Sequence, residues 1–254
     1  MSLRWITVFL DFPAPAFGPG VAFWREVTGY GLSALRGESG EFATLLPPDG
    51  DAYLRVQRVL DGPGGCHLDL HVDTASESLD GAARRGVRLG ASVLHRDDED
   101  GLIVARSPAG LAFCLVHWAG ETVVPGPLVT PDGATRVGTL CIDVPPERFQ
   151  EECSFWSGLT GWEAAAARVP GYSYLERPAA QPLPVRLLLQ RLDAAPPGQR
   201  ARAHTDLGCT DELAVGRHVG LGARVVGTHG RWTVLTDPAA REYCLVSREP
   251  YPAS

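Results

Sequence analysis

Residues 23–29 read Phe-Trp-Arg-Glu-Val-Thr-Gly, and residues 155–161 read Phe-Trp-Ser-Gly-Leu-Thr-Gly. Asp11 and Asp143, Phe23-Trp24 and Phe155-Trp156, and Thr28-Gly29 and Thr160-Gly161 all stand at one common spacing of 132 residues. Working outward from them, Gln57-Arg58 returns as Gln190-Arg191, and His67-Leu68-Asp69 as His204-Thr205-Asp206. Gly90-Ala91 returns as Gly222-Ala223, and Cys114-Leu115-Val116 as Cys244-Leu245-Val246. The spacing drifts only between motifs, as loop insertions and deletions make it do. A repeat this long exceeds any solenoid unit and has the size of a whole domain. The chain is therefore read as two modules, 1–118 and 135–254. Residues 119–134, rich in proline and glycine, form a semi-extended linker between them.

Each copy divides again. In the first, Trp5–Leu10 is expected as a strand, followed by a helix over about 16–28 with Phe17, Val21, Trp24 and Thr28 on one face. Gly29 and Gly161 sit where a helix favours a left-handed terminating residue. Strands follow near 31–36, 41–47 and 52–60. The second half repeats the pattern with a strand at Cys66–Asp73, a helix at Ser76–Gly86 capped by Ser76, and strands near 88–95, 101–106 and 112–118. The expected fold class is α+β, with four βαβββ units whose curved sheets pair around clefts.

Composition excludes several functions. The net charge of −7 disfavours nucleic acid and anionic membranes as partners. No apolar run has the length of a membrane span. The six cysteines are scattered without metal-ribbon spacing, which fits reduced thiols in a cytoplasmic protein. All 23 basic residues are arginine, so no lysine Schiff base is available. The acidic run Arg96–Gly101 lacks the ligand alternation of a calcium loop, and no phosphate loop or nucleophile elbow is present.

The order Asp11, Phe23-Trp24, Thr28-Gly29, His67-Leu68-Asp69-Leu70, Gly90-Ala91 and Pro108-Ala109-Gly110 through Phe113-Cys114-Leu115 resembles the vicinal oxygen chelate superfamily, which unites glyoxalases, bleomycin resistance proteins and dioxygenases. It is most similar to the glyoxalase-like subset common in actinobacteria, whose modules end in D-P-x-G-N-x-F-C. Asp237-Pro238-Ala239-Ala240 keeps that frame without the Gly-Asn. Ser107-Pro108-Ala109-Gly110 keeps the glycine but has Ser for Asp and Leu111 for Asn. By this resemblance, metal ligands of the enzymes fall near Thr7 and Thr139 on the first strand, at Gln57 and Gln190 on the fourth and at His67 and His204 on the fifth. The eighth-strand positions fall at Cys114 and Cys244, where the enzymes have Glu. Such a set is no familiar cation cage, and the expectation is no bound metal or other cofactor. One divalent metal in the first module is the alternative.

Strand alternation places His67, Asp69, His71 and Asp73 on one face. The candidate ligand-binding residues are His67, Asp69 and Gln57 in the first module and His204, Asp206 and Gln190 in the second. Trp24 and Trp156 read as core, and Cys114 and Cys244 as inert thiols. The resemblance implies a small-molecule partner that is sequestered or held for a pathway enzyme. A metal-dependent lyase, isomerase or dioxygenase using one module is the alternative. The chain is expected as a monomer pairing its modules internally, or as a homodimer.

Overall fold

A computed structural model describes residues 3–178, 181–211 and 213–250. The first repeat supplies β1 (Leu3–Pro13), α1 (Phe17–Thr28), β2 (Gly31–Leu32), β3 (Phe42–Leu46), β4 (Leu54–Val59), β5 (Gly65–Val72), α2 (Leu79–Arg88), β6 (Ser92–Asp97), β7 (Leu102–Arg106) and β8 (Ala112–His117). These strands form one curved mixed sheet in the order β2-β3-β4-β1-β5-β8-β7-β6. The 119–134 stretch contains β9 (Leu128–Thr130), which pairs antiparallel with β10 (Gly133–Val144). The second repeat continues with α3 (Phe149–Thr160), β11 (Glu163–Ala166), β12 (Tyr172–Glu176), β13 (Arg186–Arg191), β14 (Arg202–Cys209), α4 (Leu213–Gly220), β15 (Arg224–His229), β16 (Trp232–Thr236) and β17 (Glu242–Ser247). Its sheet order is β11-β12-β13-β10-β14-β17-β16-β15. Four βαβββ units are thus present, as the sequence pattern requires.

Local chemistry explains the element ends. Gly29 and Gly161 close α1 and α3 at φ of 71° and 76°, a conformation that costs a residue with a Cβ. The cap of α2 is Ser78, whose hydroxyl accepts from Gly81 N, and not Ser76. Asp73 accepts from Ala75 N and Ser76 Oγ, which holds that stretch in a turn and starts the helix later. β2 ends at Leu32, well before the expected Arg36, because the hairpin continues as an irregular segment closed by Gly37 and Gly40, both at positive φ.

Packing divides the chain differently from the repeats. One compact unit holds β1 as far as Thr7, His67–Thr122 and Cys141–Ala203. The other holds Val8–Cys66, Val123–Leu140 and the chain from His204 onward. Each unit therefore joins a βαβββ half of one repeat to the opposite half of the other. In the first unit Phe113, Phe155 and Trp156 meet edge-on or tilted, with ring centroids 5.1–5.8 Å apart. In the second, Phe23, Trp24 and Tyr243 do the same at 5.4–5.9 Å. Trp24 and Trp156 are core residues, as their helical spacing implies. No helix of the described residues is long and apolar enough to cross a membrane.

Candidate functional site

In the first unit β5 and β8 run parallel with Asp69 opposite Cys114. His67 precedes Asp69 by two residues on the same face, while Leu68, Leu70 and Val72 on the other are fully buried. One donor atom each from His67, Asp69 and Cys114 falls within 4.8 Å of the others. Asp69 and Cys114 are buried, and His67 is half-buried. His71 and Asp73, further along the same face, are committed elsewhere. His71 Nε2 lies 2.9 Å from Thr7 Oγ1, and its Nδ1 lies 3.4 Å from Glu121 Oε1. Burial raises the Glu121 carboxyl, but the hydrogen bond from His71 and those from backbone N–H groups outweigh it and hold the group at about 2. Asp73 accepts from Arg4 Nη2 at 2.8 Å, and the same guanidinium lies 5.4 Å from the centre of the Trp118 ring.

The second unit repeats the set. β14 and β17 are parallel with Asp206 opposite Cys244. His204 Nε2 lies 3.4 Å from Asp206 Oδ1 and 3.7 Å from Cys244 Sγ. Asp206 is 6% exposed, and its Oδ1 accepts no hydrogen bond among the described residues. The position equivalent to His71 is Gly208, where an added Cβ would lie 2.9 Å from Pro250 Cα, so the chain after β17 takes that space. Arg248 donates to Thr139 Oγ1, the hydroxyl matching Thr7. Nearby, the buried Arg241 donates to Cys66 Sγ at 2.9 Å and stacks 4.6 Å over the Phe12 ring. Burial pushes the Cys66 thiol up, against the pull of that guanidinium.

The two glutamines do not share a packing unit with the His-x-Asp of their own repeats. Gln57 stands on β4 in the unit of His204, opposite Asp11 of β1 and Phe42 of β3. Gln190 stands on β13 in the unit of His67, opposite Tyr172, with its Oε1 3.7 Å from Cys141 Sγ. Both are half-buried. Two groups of residues lie outside the candidate ligand set read from the sequence. Cys114 and Cys244, placed there at the eighth-strand ligand positions but read as inert thiols, stand beside the His-x-Asp pairs. The carboxylates that receive the buried indoles are the second group. Trp24 Nε1 donates to Asp237 Oδ2 at 2.9 Å, and Trp156 Nε1 to Glu152 Oε1 at 2.8 Å.

The resemblance to the vicinal oxygen chelate superfamily implies a divalent metal, and the donor chemistry tests it. Zinc bonds of about 2.0 Å to nitrogen, 2.0–2.2 Å to oxygen and 2.3 Å to sulfur place neighbouring tetrahedral donors about 3.3–3.7 Å apart. The separations at His204 match. One imidazole, one carboxylate and one thiol also make a coherent donor set for a borderline-soft ion, with positions left for water or substrate.

Comparison with known proteins agrees with this architecture. No curated protein matches the sequence. Among solved structures, 2,2′,3-trihydroxybiphenyl 1,2-dioxygenase from Sphingomonas wittichii strain RW1 is 16% identical, with a TM-score of 0.64 over 96% of this chain and 90% of its own. The Mn(II)-bound glyoxalase from Novosphingobium aromaticivorans is 15% identical, with a TM-score of 0.65 over 98% and 82%. A mutant 4-hydroxymandelate synthase from Streptomyces coelicolor is 13% identical, with a TM-score of 0.63 over 100% and 95%. At these identities the likeness shows the fold. The family model for the glyoxalase-like domain matches twice, at residues 7–116 and 139–246, and so covers both repeats with their His-x-Asp strands. The chain belongs to the glyoxalase-like domain family, with two copies of that domain in tandem.

Proposed function

We propose that the protein binds a small organic molecule, to sequester it or to hold it for a partner enzyme, through the polar faces of its two sheets. His67 and Asp69 anchor the ligand on one sheet and His204 and Asp206 on the other, with Gln57 and Gln190 as additional polar contacts. The observation carrying this reading is the recurrence of a half-buried His and a buried Asp two residues on, with an adjacent buried cysteine, in each packing unit, on strands whose opposite faces are buried. A buried carboxylate is costly unless a partner compensates it, and Asp206 keeps a buried oxygen that accepts no hydrogen bond among the described residues, with the His204 ring 3.4 Å away. An apolar wall with a few convergent polar groups is the usual composition of a ligand site. Thermal-shift screening of a metabolite and drug library, followed by calorimetry on the hits, tests it. The expected result is a ligand whose affinity falls at least tenfold in His67→Ala or His204→Ala. Undiminished affinity in both variants overturns the assignment.

A second reading, a metal-dependent lyase, isomerase or dioxygenase of the vicinal oxygen chelate type, draws on the donor spacing. In that reading His204, Asp206 and Cys244, or His67, Asp69 and Cys114, would hold the ion. The ion would supply Lewis acidity toward paired oxygens of a substrate. Ligand binding with no turnover by metal-loaded protein would separate the first reading from the second.

A further inference from the structure

We propose that His204, Asp206 and Cys244 form a site selective for a thiophilic divalent ion of the zinc class, against the harder manganese class. The inference rests on the donor set of the second reading and not on the ligand reading. Three features of the second unit point to it. First, the separations of 3.4 Å from His204 Nε2 to Asp206 Oδ1 and 3.7 Å to Cys244 Sγ are those of donors sharing one small ion. Second, Asp206 Oδ1 is buried and accepts no hydrogen bond among the described residues, with the His204 ring nitrogen 3.4 Å away, beyond hydrogen-bond reach. A cation there compensates that burial. Third, all three donors project from paired strands at fixed register, Asp206 opposite Cys244, so the set is held before the ion arrives.

The sulfur decides the selectivity. Imidazole and thiolate favour zinc, cobalt and copper, whereas manganese, magnesium and calcium prefer carboxylates, carbonyls and water. Binding exchanges the Cys244 Sγ proton for the ion, and the proton leaves to solvent. Zinc itself is redox-inert, so the site would polarise a bound oxygen without one-electron chemistry.

The test uses the full chain stripped with a chelator and titrated with Co(II) as a spectroscopic probe. Because His67, Asp69 and Cys114 make a similar set, it is run in wild type and in Cys114→Ser. The expected result in Cys114→Ser is a sulfur-to-cobalt charge-transfer band. Stoichiometric Zn(II) removes it, and tenfold excess Mn(II) does not. Cys244→Ser combined with Cys114→Ser loses the band and binds Zn(II) more than roughly 100-fold less tightly, since even outer-shell losses cost 10–100-fold. Should that double variant fail to fold, Cys244→Asp in the same background is expected to hold an ion without the band and to accept Mn(II). Absence of the band in Cys114→Ser, its survival in the double variant, or displacement by Mn(II) overturns the proposal. Calorimetry of a screening hit on chelator-treated protein reports the ligand reading separately, because it needs no metal.

Discussion

The two packing units solve one problem with interchanged parts. Each buries a tryptophan beside the turn that precedes its last central strand, and each must satisfy an indole N–H and the turn's own N–H groups. In the second unit Asp237, within the turn, receives Trp24 Nε1, Ala239 N and Arg241 N. In the first unit the matching turn residue is Ser107, and the carboxylate comes from the helix. Glu152 receives Trp156 Nε1 and Ala109 N. The helix position matching Glu152 is Gly20, where a Cβ would lie 2.4 Å from the Phe12 ring. What the fold requires is an acceptor at that point in space, whichever element supplies it.

The largest expected effect follows from removing that acceptor. Asp237→Ala strands two buried donors and the half-buried Ala239 N–H and is expected to cost about 4 kcal/mol, while Glu152→Ala strands two buried donors and costs about 3 kcal/mol, at roughly 1–3 kcal/mol per unsatisfied group with partial relaxation. Urea denaturation followed by Trp fluorescence measures both, and equal or negligible losses would break the comparison.

A second contrast lies next to the tryptophans. The second unit buries His218, with Nδ1 2.9 Å from Tyr243 Oη, where the first has Gly86 and Phe113. Burial first, and the Arg217 charge second, lower the His218 pKa to about 4. The unfolded histidine takes its proton near pH 6.5, so the unfolded chain binds more protons below that value. Stability from this residue is complete above pH 6.5 and lost as pH falls toward about 4, by roughly 3 kcal/mol across the window. His218→Gln keeps a hydrogen-bonding group without titrating, and is expected to flatten that part of the stability–pH curve.

The interchange can also be reversed on one side. Ser107→Asp in the Glu152→Ala background restores an acceptor in the turn and is expected to recover about 1–2 kcal/mol. Gly20→Glu in the Asp237→Ala background recovers none, because the Phe12 ring occupies the Cβ position. The smallest effect belongs to the Glu121–His71 contact. The lowered Glu121 pKa means that its contribution is present above the ordinary carboxylate range and fades as pH falls toward about 2. Glu121→Gln should remove that acid-side slope and lower stability at pH 7 slightly, because solvent screens this partly exposed pair.

Much of the fold is written in local chemistry. Helical steps of Trp24 and Trp156 and the left-handed Gly29 and Gly161 mark α1 and α3 without ambiguity, and alternation in β5 puts His67 with Asp69. What stayed illegible depends on distant partners. Asp237 lies 213 residues from Trp24, and no local pattern links them. Cys244 looks inert beside its sequence neighbours, and only parallel pairing with β14 brings it to His204. Ser76 and Ser78 are equivalent caps by residue type, and the competing bond to Asp73 chooses between them. The exchange of halves between repeats has no sequence signature at all, since each repeat is long enough to look self-sufficient.

That exchange governs how the molecule must be made. The second unit needs both Val8–Cys66 and the chain after His204, so its core cannot close until β14 and β17 have been made. Until then the apolar face of α1 lacks its Tyr243 partner, and closing so long a loop is the expected slow step of folding.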